Sequence, residues 1–126
     1  MTKLSNFLRS AQDNNLLYWC QGCGHEHRIQ YGEGTGPRWT WDGNVDKPTF
    51  SPSVLVTGIN QDMDDATQAA YDEFVSKPGG TYAALADPRF RTVCHTFIVA
   101  GMVQFLGDCT HEFAGQTLPL PELPGD

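Results

Sequence analysis

The sequence has few basic residues, no long apolar run and little cysteine. It contains 8 lysine and arginine residues against 15 aspartate and glutamate residues, which gives a formal net charge of -7. Because non-specific affinity for nucleic acid comes mainly from Lys and Arg that neutralise phosphates, this balance argues against a nucleic-acid-binding protein. Nowhere do enough apolar residues follow one another to span a membrane, and the first residues carry no secretion signal. We therefore expect a soluble, cytoplasmic protein.

A length of 126 residues with 40% apolar content is typical of one domain. We predict a single domain over residues 1–126, with an insertion of different character at 57–90. In that segment Asp62 or Asp64 can cap a helix that ends at Lys77-Pro78, and a second helical turn covers 81–86. The predicted fold class is α+β: a small β-rich domain of antiparallel hairpins with a helical insertion at about 60–87.

The ends of the chain and the first hairpin can also be assigned from the pattern of apolar residues. Residues 3–14 have apolar side chains at helical spacing and predict a short amphipathic helix. Residues 16–19 read as a strand, and residues 25–31 alternate as the strand that returns from it. The proline-rich tail at 119–124 is expected to be extended and frayed.

The four cysteines form two pairs that are far apart in sequence. Cys20 and Cys23 have the Cys-x-x-Cys spacing of a zinc knuckle, with a glycine between them. Cys94 and Cys109 lie in a predicted hairpin whose turn is Ala100-Gly101, and this register puts them on one face as diagonal neighbours. Reducing cytosol disfavours disulfides, so we expect the two pairs to meet at one Zn²⁺. The predicted metal ligands are Cys20, Cys23, Cys94 and Cys109.

The same hairpin places His95 and Asp108 on the face opposite the cysteines, as a separate diagonal pair. If the metal has an open coordination position, His95, Asp108, His111 or His25 can act beside it as acid or base. A histidine can also replace one cysteine as a ligand, and His25, His95 and His111 are the alternatives. No His-Glu-x-x-His or other established catalytic pattern supports this alternative.

The segment from Lys47 to Ser53 contains two prolines and cannot be helical, because proline restricts the residue before it to extended geometry. The hydroxyls of Thr49, Ser51 and Ser53 recur with a period of two and therefore share one side of this segment. They can line one side of a cleft, or they can satisfy nearby backbone groups.

Several short motifs occur together in a fixed order. They are Trp-Cys-x-Gly-Cys-Gly-His at 19–25, Trp-Thr-Trp-Asp-Gly at 39–43, Pro-Thr-Phe-Ser-Pro-Ser at 48–53, Cys-His-Thr-Phe-Ile at 94–98 and Asp-Cys-Thr-His at 108–111. Over residues 17–118, apart from 57–90, this order resembles a phage and prophage family of small domains of unknown function, often labelled "ammonia monooxygenase". The resemblance implies a zinc-binding, β-rich domain in the cytoplasm of a bacterial host. Some relatives neighbour bacterial ubiquitin-like conjugation genes, which suggests a peptidase role for those relatives.

Two functions are therefore considered. The first is a phage-type accessory protein with a structural zinc site, acting as a protein-binding module that modulates a host or phage protein. A zinc site with four thiolate ligands is closed, so it stabilises the fold and leaves no position for water. The alternative is a zinc-dependent, peptidase-like hydrolase that uses His95, Asp108 and His111 near the metal.

Overall fold

The computed structural model describes residues 2–124 and contains two antiparallel-rich sheets and two short helices. The elements are β1 (Thr2–Lys3), β2 (Arg9–Ala11), β3 (Asn15–Cys20), β4 (His25–Gln30), β5 (Thr40–Trp41), β6 (Phe50–Ile59), α1 (Asp65–Val75), α2 (Gly80–Ala84), β7 (Arg91–Val99), β8 (Met102–Phe105) and β9 (Thr117–Pro119). The strand order is β1-β2-β3-β4 in one sheet and β5-β6-β7-β8-β9 in the other. The predicted α+β class, with helices inserted in a framework of hairpins, is confirmed.

The zinc-knuckle sequence forms the turn between β3 and β4. The register pairs Cys20 with His25 at the end of the ladder. The N–H of Gly24 donates to the carbonyl of Cys20 at 2.9 Å, and Gly24 has a φ of 72°, which favours glycine. This tight turn returns the chain after Cys23, so both cysteine side chains stay at the same end of the sheet.

The helix predicted over residues 3–14 is wrong. The chain instead forms β1 and β2, and β2 pairs with β3. Ser5 Oγ accepts a hydrogen bond from the N–H of Leu8 at 3.1 Å, which fixes the turn between these strands. Leu8 and Leu16 are both fully buried. Pairing with β3 and this burial outweigh the local helical spacing of the apolar residues.

The hairpin of β7 and β8 has the predicted register. Thr96 pairs with Phe105 and Val99 with Met102. Ala100 and Gly101 both have positive φ, at 49° and 77°, as the two central residues of a tight hairpin turn require. The adjacent β9 adds a further antiparallel pair.

The C-terminal tail is packed, so the expectation that it is frayed is wrong. Leu120 and Leu123 are buried. The N–H of Leu123 donates to the carbonyl of Asn6 at 2.7 Å. The N–H of Leu120 also donates to the carbonyl of Gly101 at 2.8 Å. The tail is thus held by two apolar side chains and two backbone hydrogen bonds, which its proline-rich composition does not reveal.

Within the described residues the chain divides into two compact units. One runs to Leu55 and resumes at Cys94, and the other is Val56–Val93. The second unit contains α1, whose predicted cap is present: the Asp64 carboxylate accepts a hydrogen bond from the N–H of Thr67 at 2.7 Å. Its aromatic centre is Phe90, which contacts other rings of the unit. Neither helix has the length and apolarity to cross a membrane.

Candidate active site and metal centre

The two faces of strand β7 present different functional groups: a cysteine thiol on one face and a histidine imidazole on the other. Because side chains alternate along a strand, neighbouring residues point in opposite directions. Cys94 is buried, whereas His95 is half-buried and meets other polar side chains. The face of β7 that carries Cys94 therefore belongs to the candidate metal centre, and the face that carries His95 belongs to a separate polar site.

The candidate metal centre consists of four side chains whose ligand atoms lie within 4.8 Å of one another. They are Cys20, Cys23, Cys94 and His111. The Sγ atoms of Cys20 and Cys94 are 3.7 Å apart, and Nε2 of His111 is 3.4 Å from Sγ of Cys94. Tetrahedral bonds of about 2.3 Å to sulfur and about 2.0–2.1 Å to nitrogen place two sulfurs about 3.8 Å apart, and sulfur and nitrogen about 3.5 Å apart. These residues therefore fit one tetrahedral metal ion.

Close packing brings His111 to the knuckle. A Cβ atom added at Gly22 would overlap the His111 imidazole, so only glycine permits this approach. On its other side the imidazole packs edge-on against Phe105, with 4.8 Å between the ring centroids. The N–H of Phe113 also donates to Nδ1 of His111 at 3.2 Å. Together these contacts aim Nε2 at Cys94.

The three thiols of this group share hydrogen bonds, which separates their pKa values. Hydrogen bonds from Cys23 and then from Cys94 lower the pKa of Cys20 well below its ordinary value. The hydrogen bond with Cys20 raises the pKa of Cys23 to about 11, and the pKa of Cys94 is raised by its own hydrogen bond with Cys20. Metal binding requires thiolates, so these thiols must lose their protons when an ion binds.

Cys109, which the sequence placed among the ligands, is not in this group of described residues, and His111 stands in its place. The Cys109 Sγ accepts a hydrogen bond from the N–H of His95 at 3.2 Å and donates to the carbonyl of His95 at 3.3 Å. Cys109 lies outside the group because β8 ends at Phe105. A turn from Leu106 to Cys109 then interrupts the pairing with β7 that would have placed Cys109 beside Cys94. Cys109 therefore supports the backbone of His95.

The opposite face of β7 forms a serine–histidine–aspartate chain of hydrogen bonds. Ser53 Oγ lies 3.0 Å from Nε2 of His95. Nδ1 of the same ring lies 3.1 Å from Oδ2 of Asp108. This is the arrangement in which a histidine accepts the proton of a serine nucleophile while a carboxylate orients the ring. The side chains of His95 and Asp108 are 26% and 56% exposed, so this triad lies at the surface.

The sequence identified two members of this triad but not the serine. His95 and Asp108 were expected to form a pair opposite the cysteines, and the structure brings them together. The only sequence signal for Ser53 was the alternation of hydroxyls. The structure distinguishes these residues: Thr49 Oγ1 accepts from the N–H of Ala100, whereas Ser53 reaches His95.

A groove lined in part by Trp39 has a volume of about 430 Å³. The residues that line it come from β3, β4 and the loops beside them: Asp13, Asn15, Arg28, Gln30, Pro37 and Trp39. The indole N–H of Trp39 donates to the carbonyl of Ser53 at 3.2 Å. Trp39 thus both lines the groove and donates a hydrogen bond to the backbone of Ser53.

Comparison with known proteins gives one family. The model of the family described as "Bacterial ubiquitination-like system serine protease (BubE)" matches residues 2–106. The matched range contains Ser53, His95 and three residues of the metal group, while Asp108 and His111 follow it. No curated protein and no solved structure matches the chain.

Proposed function

Because this chain belongs to the family of bacterial ubiquitination-like system serine proteases, we propose that it is a serine peptidase. The observation that carries the proposal is the hydrogen-bonded chain from Ser53 through His95 to Asp108. A structural role alone does not require a serine, a histidine and a carboxylate to be connected in this order. The family description supports the same reaction independently of the geometry.

The first half of the reaction forms an acyl-enzyme. Asp108 accepts the hydrogen bond from Nδ1–H of His95, so Nε2 is the nitrogen with the free electron pair. As Ser53 Oγ attacks the carbonyl carbon of the scissile bond, Nε2 takes the hydroxyl proton. The tetrahedral intermediate then collapses, the carbon–nitrogen bond breaks, and His95 gives its proton to the leaving amine.

The second half releases the acyl group by the same steps with water. His95 removes a proton from a water molecule, which attacks the ester carbon attached to Ser53. Collapse of this second intermediate returns the proton to Ser53 Oγ and releases a carboxylate product. The exposure of His95 and Asp108 supports access by a protein chain, since a folded substrate cannot enter a deep cavity.

We further propose that the metal of Cys20, Cys23, Cys94 and His111 is Zn²⁺ and that its role is structural. Three sulfurs and one imidazole nitrogen are ligands that zinc prefers, and four protein ligands leave no position for a reactive water. Zinc would tie the knuckle between β3 and β4 to β7. It would thus fix the strand on which His95 stands.

Of the two functions considered from the sequence, the geometry favours the peptidase. The nucleophile, however, is the hydroxyl of a serine and not a water molecule bound to zinc. His111 belongs to the metal group, whereas His95 and Asp108 connect to Ser53. We propose that the partner is a protein substrate whose chain lies in the groove beside Trp39. The resemblance to phage and prophage domains supports an accessory role in a bacterial host.

The proposal can be tested by hydrolysis of a quenched-fluorescent peptide library by the zinc-loaded chain. The variant Ser53→Ala should lose cleavage, because it removes the hydroxyl that lies 3.0 Å from Nε2 of His95. The matched control is Ser51→Ala, since this exposed serine lies two residues away on the same strand. It should keep activity within about threefold of the unchanged chain, as expected for an exposed site. Cleavage that survives Ser53→Ala would exclude the serine mechanism.

A further inference from the structure

A second group of metal-ligating side chains lies beside the first. Cys23, His25 and His27 have ligand atoms within 4.8 Å of one another. The two histidines are two residues apart on β4 and therefore share one face of the strand. Their ring centroids are 5.2 Å apart. The group thus offers one sulfur and two imidazoles, a ligand set that suits zinc and related divalent ions.

Each of the two histidines has Nδ1 engaged and Nε2 available. Nδ1 of His25 donates to the carbonyl of Glu26 at 3.0 Å, which leaves Nε2 as the nitrogen with a free electron pair. Nδ1 of His27 lies 3.5 Å from the hydroxyl of Tyr18. Metal-binding histidines commonly use the other ring nitrogen in this way, because an oxygen partner there orients the ring.

His27 gives the strongest indication that a ligand belongs here. The residue is 3% exposed, and its buried Nε2 has no hydrogen-bond partner among the described residues. A buried polar nitrogen without a partner is costly, so such an atom calls for an explanation. Cys23 belongs to both metal-ligating groups, so the His27 imidazole lies beside the first metal centre.

We infer that the chain binds a second divalent transition-metal ion at Cys23, His25 and His27, with the Cys23 thiolate bridging the two ions. Three thiolates around one divalent ion leave one net negative charge at the first centre, and this charge attracts a second cation. His25 is exposed, so the second ion can enter from solvent. With three protein ligands in place of four, the second ion binds more weakly than the first and keeps a position for water.

This inference rests on the first zinc site of the proposed function, and one experiment separates the two. The full chain is dialysed to equilibrium against buffers of fixed free Zn²⁺ concentration, and bound zinc per chain is measured by elemental analysis. The bound zinc should level off at one ion per chain and rise to two at higher free zinc. His25→Ala, at an exposed position, should remove the second step and leave the first unchanged.

The matched control is His95→Ala, which removes a histidine outside both metal groups and should retain both steps. A plateau at one ion in the unchanged chain, or two ions retained by His25→Ala, would overturn the second site while leaving the first intact. Loss of both ions in His25→Ala would also overturn it, since His25 would then serve the first centre. No bound zinc at all would instead refute the structural zinc of the proposed function.

Discussion

Replacing Asp108 by asparagine tests how His95, the proposed general base, is oriented. The carboxylate accepts a hydrogen bond from Nδ1 of His95 at 3.1 Å. Asparagine can offer its N–H₂ group to Nδ1 instead, which favours the tautomer whose Nε2 carries the proton. That tautomer cannot accept the proton of Ser53, so the change should lower kcat without preventing substrate binding.

The size of this effect follows from the exposure of the carboxylate. In a buried triad the corresponding change lowers kcat by about 10⁴. Here the Asp108 side chain is 56% exposed, so water can solvate the protonated imidazole and the amide can rotate. The loss should then be close to that of one charge-assisted hydrogen bond, about 1.5–3 kcal/mol. This energy corresponds to a decrease in kcat of about 10- to 150-fold.

The assay is steady-state hydrolysis of a peptide that the unchanged chain cleaves, with kcat and KM measured separately. Asp62→Asn serves as the control, because this exposed aspartate lies outside the triad and should not change either constant. A kcat for Asp108→Asn within twofold of the unchanged chain would refute the orienting role. A decrease in kcat as complete as that of Ser53→Ala would instead show that the exposure of Asp108 does not limit the effect.

Three further predictions concern the metal centre and the backbone of the serine. Gly22→Ala places a Cβ on the His111 ring, so zinc affinity should fall by about 10- to 100-fold in a chelator competition; unchanged affinity would argue against His111 as a ligand. Cys20→Ser removes a buried ligand and should cost more than about 4 kcal/mol in the free energy of unfolding, measured by urea denaturation with zinc present. Trp39→Phe removes the hydrogen bond to the Ser53 carbonyl and should lower kcat/KM by about 2- to 12-fold, from about 0.5–1.5 kcal/mol; a gain or no change would contradict this positioning role.

Features that depend on neighbouring residues could be predicted from the sequence. The hairpin register followed from Ala100-Gly101, because a two-residue turn fixes which residues pair. The alternation of β7 then separated Cys94 from His95 and put His95 on the side of Asp108. The helix cap at Asp64 is equally local. In each case the controlling residues lie within a few positions of the feature that they determine.

Features that depend on contacts between distant segments could not be predicted. Ser53 meets His95 only because β6 and β7 are neighbours in the sheet, and no local pattern specifies that neighbour. His111, and not Cys109, lies with the other three cysteines because of where β8 ends and because Gly22 has no side chain. The prediction of an N-terminal helix failed for a related reason, since burial against β3 overrides the helical spacing of the apolar residues.

We propose, above all, that Ser53 is the nucleophile and that the metal supports the fold. The most direct measurement is mass spectrometry of the zinc-loaded chain after reaction with a fluorophosphonate, which modifies activated serines, followed by peptide mapping. We expect a single adduct on Ser53, with loss of peptide hydrolysis in proportion to labelling. Hydrolysis that continues in chains fully modified at Ser53, or an adduct only on another residue, would contradict it.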